Sequence, residues 1–275
     1  MSKPTRYPIT CAPVFDAVMR DEGICRKFIE RVLGIEVGAI EYHAVEHVVE
    51  PSLTAHGVQL DAFIKSTGAV YNIEMQSVAE PTLGRRMRYY QSAMDADLLR
   101  KGDPYQLLPE SHIIFLCAYD PFRQGLPVYT FERACREDAA VQTACGSHWR
   151  VLNASAWASE QDEGLRNLLE YVATGDVVGD EFVAELDAMV DDVNGDPERR
   201  AQMGGFMTLE YSMAVRAYAA REEGLAEGEV IGAEKAEARY SALVDHLLDD
   251  GRLDDLKRAT ADTSLLHSLY EEYGL

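Results

Sequence analysis

Two acidic residues, Asp61 and Glu74, lie thirteen positions apart on either side of Thr67-Gly68, a two-residue hairpin signal. The segments 58–66 and 69–77 alternate between polar and apolar residues at period two, which is typical of strands. If residues 66 and 69 close the turn, Asp61 lies directly opposite Glu74, with Cβ atoms roughly 4.5 to 5.5 Å apart. Like charges at that distance repel, so a cation or water must compensate for them.

The same register predicts one apolar side of the hairpin and one chemical side. The apolar pairs would be Leu60 with Met75, Ala62 with Ile73 and Ile64 with Tyr71. The chemical side would carry Asp61, Glu74 and Gln76. Carboxylates are the hard oxygen ligands that Mg²⁺ or Mn²⁺ prefers, and a bound cation lowers the pKa of an attacking water and polarises a phosphoryl oxygen. Gln76 could hydrogen-bond that water but is too weak a base to deprotonate it. The alternative is two acids that are merely solvated on an exposed hairpin.

The elements around the hairpin indicate an α/β fold. Apolar residues at helical spacing predict two successive amphipathic helices that end at Gly34. Residues 39–50 are predicted to form a strand that enters the hairpin, and a helix follows from about Leu83 to Lys101 with Gly102 as its C-cap. The apolar run 112–119 predicts a strand covered on both faces. Helix, three strands, helix and strand in this order predict a sandwich over residues 1 to about 125.

The remainder of the chain is predicted to be mainly helical. Further strands are expected near 128–131 and 149–152, and helices from residue 160 onward, including 181–190. A long helix rich in Glu, Gly and Ala is predicted at about 197–240, followed by shorter helices near 241–248, 253–260 and 262–273. We therefore predict one domain over residues 1–155 and an acidic helical region over residues 156–275.

Charge and composition limit the possible partners. The formal net charge is −21, but residues 1–130 hold 13 Lys and Arg against 16 Asp and Glu, whereas residues 131–275 hold 13 against 31. The first part is therefore near neutral, and it is the part that a nucleic acid could approach. No apolar run approaches the roughly 18 residues that a membrane span needs. Five cysteines without paired spacing favour a reducing cytoplasm, and no membrane association is expected.

The order of elements and motifs resembles the PD-(D/E)XK nuclease superfamily. Asp61 falls on the second strand, Glu-x-Gln on the third, and a helix rich in Arg and Tyr follows. The chain is most similar to the recombination-promoting nuclease and putative transposase family, in which the motif ends in Gln instead of Lys. The resemblance covers residues 9 to about 125, and the segments that carry it are Val14-Phe15, Ile73-Glu-Met-Gln76, Arg88-Tyr-Tyr-Gln91 and Gly102-Asp-Pro-Tyr105.

The resemblance implies a restriction-endonuclease-like αβββαβ core and Mg²⁺-dependent (or Mn²⁺-dependent) cleavage of DNA linked to recombination. It implies Asp61, Glu74 and Gln76 as catalytic residues, with Asp61, Glu74 and the backbone carbonyl of Met75 as metal ligands. The chain departs from the superfamily pattern in two places: Leu60 stands where the pattern has Pro, and Gln76 stands where it has Lys. The second departure puts the activation of water in doubt.

Residues of the helix after the hairpin are further candidates. Arg85, Arg86 and Arg88 lie in its predicted exposed first turn, where they could hold DNA phosphates, unless they form only a solvated face. Three auxiliary candidates are Glu30, Tyr90 and Gln91. A homodimer would allow both DNA strands to be cut. The rival function is a nuclease-like scaffold with little or no activity that binds DNA or protein, with the acidic helices contacting a protein partner.

Overall fold

The structure is a computed structural model that describes residues 6–49, 57–138, 140–141, 143–201, 203–204, 238–259 and 262–275. It is a mixed α/β protein, as the sequence predicts. The helices are α1 (Ala12–Met19), α2 (Glu22–Leu33), α3 (Leu83–Leu98), α4 (Glu163–Thr174), α5 (Glu181–Gly195), α6 (Leu253–Ala259) and α7 (Thr263–Tyr273). The strands are β1 (Ile40–Val49), β2 (Val58–Ser66), β3 (Ala69–Gln76), β4 (Glu110–Cys117), β5 (Val128–Phe131) and β6 (Ser147–Asn153). Short 3₁₀ helices occupy Tyr105–Leu107 and Ala154–Ser159, and residues 197–201, 203–204 and 238–249 are also helical.

The six strands form one mixed sheet in the order β1-β2-β3-β4-β6-β5. Strands β1, β2 and β3 are successive antiparallel neighbours, whereas β4 runs parallel to both β3 and β6. The connection from β3 to the parallel strand β4 contains α3, because parallel neighbours require a crossover. Strand β4 is central and is buried from Ile113 to Cys117, as its continuous apolar run predicts.

Two apolar clusters cover the two faces of the sheet. The first joins α1, α2, α4 and α5 to one face, and the second joins α3 to the other. Strand β3 divides between them: Tyr71, Ile73 and Met75 enter the first cluster, and Val70 enters the second. The alternation of side chains along a strand places Asn72, Glu74 and Gln76 on the same face as Val70. Glu74 is therefore directed to the α3 side of the sheet.

Local signals explain the ends of the helices beside the hairpin. The side chain of Asp21 accepts a hydrogen bond from the Ile24 N–H at the start of α2, and Gly34 ends that helix in the left-handed conformation. The predicted C-cap of α3 is wrong. The helix ends at Leu98, and Gly102 lies in the following turn, where the Asp103 carboxylate accepts a hydrogen bond from the Arg100 N–H.

The chain divides into a compact unit up to residue 209 and a second from residue 210. Helices α4 and α5 pack in the same cluster as α1 and α2 within the first unit, whereas the sequence analysis placed its domain boundary at residue 155. In the second unit, Leu243, Leu247, Ala259 and Leu269 form a small core. Most of the helix predicted at 197–240 lies outside the described residues. Among the described helices, none combines the length and apolarity needed to cross a membrane.

The turn between β2 and β3 makes a prediction about stability. Gly68 has a φ of 83°, whereas Gly84 lies in α3, and an added Cβ would meet no atom within 4 Å at either position. Gly68→Ala should lower the free energy of unfolding by about 1 to 2 kcal/mol through backbone strain alone. Gly84→Ala, the matched control, should leave it unchanged or raise it by up to about 1 kcal/mol. Urea unfolding of both variants tests this, and equal effects would contradict it.

Candidate functional site

The hairpin has the predicted register over its regular part. Ser66 pairs with Ala69 and Ala62 with Ile73, with the three intervening pairs in step. Regular pairing then stops one residue before Asp61 and Glu74. On the other side of β2, the pairing with β1 continues past Asp61, but Glu46 between its paired neighbours has a φ of 56°. The strands are therefore distorted where the two acids lie.

Side-chain carboxylates replace the missing backbone ladder at this point. The Asp61 N–H donates to Oε1 of Glu74 at 3.1 Å, and the Met75 N–H donates to Oδ2 of Asp61 at 2.9 Å. The two acids are thus brought together, each satisfying a backbone donor of the opposite strand. The expected single chemical side is wrong in detail, because Asp61 borders a cavity beside α1 while Glu74 contacts α3. Leu60 and Met75 accordingly enter different clusters and do not share an apolar side.

Glu74 is completely buried and is the electrostatic centre of the site. Its Oε2 accepts a hydrogen bond from Nη2 of Arg86 at 2.9 Å, and its Oε1 also accepts from Nδ2 of Asn72 at 3.0 Å. Burial raises the pKa of Glu74 well above its usual value, and the charge of Asp61 raises it further. Arg86 and the donated hydrogen bonds act in the opposite direction. Arg86 therefore supplies much of the compensation that the repulsion between the two acids demands.

Arg86 is held on several sides at once. Its Nη1 donates to Oε1 of Gln76 at 2.6 Å, and Nε2 of Gln76 in turn donates to the Val78 carbonyl at 2.6 Å. The guanidinium carbon lies 4.9 Å from the centre of the Tyr90 ring and 5.3 Å from that of Phe115. These contacts turn the Arg86 guanidinium towards Glu74 and leave its side chain 28% exposed, so it belongs only in part to the exposed basic turn that the sequence suggested. Both ends of the Gln76 amide are also engaged.

The other two arginines of α3 lie on the surface as expected. Arg85 and Arg88 are exposed and, with Arg86, Tyr89 and Tyr90, border an open groove of about 490 Å³. Tyr90 contributes to both places, because one face of its ring contacts the guanidinium of Arg86. A positive surface therefore lies directly beside the buried acids.

Two auxiliary candidates lie elsewhere. Gln91 is buried and belongs to a network in which its Nε2 donates to Ser111 at 2.8 Å and its Oε1 accepts from Ser147 at 3.0 Å. It joins α3 to β4 and β6. The Oε1 atom of Glu30 accepts a hydrogen bond from the Val37 N–H at 3.0 Å, and the residue borders a groove lined by α2, α4 and α5. Neither residue contacts the paired acids in these hydrogen bonds.

A cavity of about 600 Å³ adds two acids that the sequence analysis missed. It is lined by Asp16 of α1, by Arg20 directly after that helix, and by Glu46 and Asp61 of the sheet, among other residues. Burial raises the pKa of Asp16 to about 7, helped by the charges of Asp61 and Glu46 and opposed by Arg20. Burial likewise raises the pKa of Asp61, against the Met75 N–H and Arg86. An acid beside the apolar stripe of a short helix was the available signal for Asp16, but only folding places it near Asp61.

The donor set fits a hard divalent cation in chemical type. Asp61 lines an acidic cavity, its backbone N–H donates to the Glu74 carboxylate, and Oδ1 of Asn72 is buried without a hydrogen-bond partner within the described residues. Among those residues, however, no three His, Cys, Asp or Glu side chains converge closely enough to form a metal cluster. Both oxygens of Glu74 already accept hydrogen bonds. A cation at Glu74 would therefore compete with Arg86.

Comparison of the chain with models of known families, with curated proteins and with solved structures finds no match in any of the three. Fold and site together define an α/β protein in which a buried acid and a partly buried one lie at the distorted end of a hairpin, bordered by an acidic cavity and an exposed basic helix turn. The function is inferred from these features.

Removal of Arg86 should be costly because it leaves Glu74 buried without its countercharge. We expect Arg86→Met to lower the free energy of unfolding by about 3 to 5 kcal/mol, as the loss of one partner of a buried ion pair does. Arg85→Met should change it by less than about 0.5 kcal/mol. The double variant Arg86→Met/Glu74→Gln should lose less free energy of unfolding than Arg86→Met alone, because the buried charge is also removed. Urea unfolding at neutral pH with EDTA measures these three variants and the single variant Glu74→Gln, and a double variant as unstable as the sum of Arg86→Met and Glu74→Gln would contradict the pairing.

The raised pKa of Asp16 predicts a pH dependence of stability. Between its usual value of 3.8 and about 7, folded Asp16 keeps a proton that the unfolded chain has lost, so its contribution falls as pH rises through this window. The free energy of unfolding of Asp16→Asn should therefore exceed that of the wild type by roughly 2 kcal/mol at pH 8, and the difference should shrink towards pH 5. Exposed Asp192→Asn is the control. Denaturant unfolding with EDTA at both pH values tests this, and a difference independent of pH would refute it.

Proposed function

We propose that this protein is a divalent-metal-dependent DNA endonuclease of the PD-(D/E)XK kind, related to the recombination-promoting nucleases and putative transposases. The observation that carries the proposal is that, where the β2–β3 ladder ends, the carboxylates of Asp61 and Glu74 each accept a hydrogen bond from a backbone N–H of the opposite strand. The order of elements, from α1 and α2 through β1–β3 and α3 to β4, supports a restriction-endonuclease-like core. The reaction would be hydrolysis of a phosphodiester bond.

The cofactor of this proposal is Mg²⁺ or Mn²⁺, held by Asp61, Glu74 and the backbone carbonyl of Met75. Such an ion lowers the pKa of a bound water and neutralises charge that develops on the phosphate. The chain must first free a Glu74 oxygen, since Oε2 is paired with Arg86 and Oε1 with two N–H donors. Arg86 could then pair with a DNA phosphate close to the scissile bond, because its guanidinium suits phosphate oxygens.

The proton of the attacking water needs an acceptor, because Gln76 is neutral and both ends of its amide are engaged. Asp16 supplies the better candidate. It borders the same cavity as Asp61, and its pKa of about 7 suits proton uptake near neutral pH. Asp16 would take the role for which the superfamily pattern uses the Lys that is absent here.

DNA is the proposed substrate because exposed cations adjoin the acids. Arg85 and Arg88 lie on the groove that also contains Tyr90, whose ring contacts Arg86. DNA phosphates held by Arg85 and Arg88 would place the DNA backbone over the α3 side of the site. A homodimer would let two such sites cut both strands. A cytoplasmic location is in keeping with five free cysteines, of which Cys11, Cys25 and Cys117 are buried.

A second candidate function is a nuclease-like scaffold that binds DNA or protein without cleaving. The Arg86–Glu74 ion pair favours it, because it occupies the oxygen that a metal would use. The excess of 18 acidic residues over basic ones in residues 131–275 would suit a protein partner rather than DNA. The two functions differ in metal binding, which can be measured directly.

Calorimetry with Mn²⁺ and plasmid nicking separate the two functions. The endonuclease predicts heat of Mn²⁺ binding to the wild type, its loss in Asp61→Asn, and a fall in nicking of about 100-fold or more in that variant. Exposed Asp192→Asn should behave as the wild type. If wild type and Asp61→Asn bind no Mn²⁺ and nick at the same rate, the endonuclease is excluded and the scaffold is favoured.

The basic turn supplies a second arm of the same experiment. Arg85→Met and Arg88→Met should each weaken DNA binding and reduce the slope of log affinity against log salt by about 1, because each removes one phosphate contact. Neither should change the heat of Mn²⁺ binding. An unchanged salt slope in both variants would remove these residues from the DNA surface.

A further inference from the structure

A second cavity lies at the opposite part of the sheet from the paired acids. It has a volume of about 140 Å³ and is bordered by the end of α2, at Leu33 and Ile35, and by residues of β4, β5 and β6. Thr130 and Arg150, which are direct partners across β5 and β6, both line it. No step of the proposed nuclease reaction uses this place.

Arg150 is a half-buried cation whose charge is poorly compensated. Its Nε atom is buried and has no hydrogen-bond partner in the described part of the chain. Burial lowers the pKa of Arg150, and the charge of Glu160 only partly opposes that effect. A guanidinium does not release its proton at ordinary pH, so the cost of burial must be met by a counterion. The unpaired charge therefore points to an anion from solution.

The remaining acids of this region are directed elsewhere. Glu132 also lines the cavity, but its side chain is 65% exposed and its Oε1 lies 3.8 Å from Nδ1 of His148. Nε2 of His148 lies 2.8 Å from Oε2 of Glu110. Glu132 and Glu110 thus face His148 from both sides and do not pair with Arg150, on which, among the described residues, only the charge of Glu160 acts.

The walls set the size and shape of the anion. The rings of His112 and His148 stack with their centres 4.8 Å apart, and Tyr71 stacks on the other side of His112 at 5.1 Å. This column gives a flat, rigid wall, and the α2 end gives an apolar one. A volume of about 140 Å³ corresponds to roughly four or five waters at about 30 Å³ each, which admits a group of four or five heavy atoms but not a nucleotide.

We propose that this cavity binds a small oxyanion, either a short carboxylate or inorganic phosphate, through the guanidinium of Arg150 with the Thr130 hydroxyl as a second donor. The planar guanidinium matches two oxygens of either group. The site is separate from Asp61 and Glu74, and its occupancy does not depend on the proposed nuclease activity. Carboxylate and phosphate share this chemistry, and the experiment distinguishes them.

Thermal unfolding and calorimetry of the full chain, with EDTA and with ionic strength balanced by NaCl, test the site. Acetate and inorganic phosphate are the probes. At about ten times its dissociation constant, the anion that binds should raise the Tm of the wild type by roughly 3 °C. Arg150→Met should abolish both the shift and the heat of binding, and Thr130→Val should weaken binding several-fold. Arg136→Met removes the same charge from an exposed position and is the matched control. It should retain both the Tm shift and the heat of binding.

The stability of Arg150→Met without ligand is an independent readout. Because it removes an uncompensated half-buried charge, this variant should unfold at the same temperature as the wild type or higher. A strongly lowered Tm would show that Arg150 is satisfied within the fold and would overturn the proposal. So would the absence of a shift with both probes, or equal shifts in Arg150→Met and Arg136→Met.

Discussion

The ion pair between Arg86 and the buried Glu74 is the interaction on which the site depends. A wholly buried carboxylate next to a second acid is unfavourable unless a cation and hydrogen-bond donors compensate for it. Here the compensation comes from α3, across the face of the sheet, and from backbone N–H groups that the broken ladder leaves unpaired. The distortion of the strands and the placing of the acids are therefore one arrangement.

This arrangement explains why the sequence predicts the register of the hairpin but not the surroundings of the two acids. Period-two alternation and the Thr67-Gly68 turn are local signals, and they predict the register that brings Asp61 and Glu74 together. The sequence also shows that their repulsion requires compensation. It does not show that Arg86 provides it, because the inward direction of that side chain depends on how α3 packs on the sheet. Asp16 was missed for the same reason, since its proximity to Asp61 depends on how α1 packs.

The fold was predictable to a similar depth. The α/β class, the first two helices, all six strands and the shorter helices of the second half follow from periodicity and caps, and their ends fall within a few residues of the predicted ones. The strand order β4-β6-β5 was not predicted, because a parallel pairing across a long connection has no local signal. The end of α3 was misplaced because a positive-φ glycine marks many turns besides helix ends. The resemblance to a nuclease family remains a proposal.

The buried network around Gln91 has a consequence for how the chain can vary. Gln91 fixes α3 against β4 and β6 through Ser111 and Ser147, five residues along the helix from Arg86, or about 7.5 Å of helix axis. The position of Arg86 along the sheet is therefore fixed by contacts that lie one to two helical turns away from it. Substitution of exposed Arg85 or Arg88 would change only the charge of the surface. Substitution of Gln91 would shift α3 and, with it, the guanidinium of Arg86. A substitution of this buried amide would therefore disturb the Arg86–Glu74 pair from a distance.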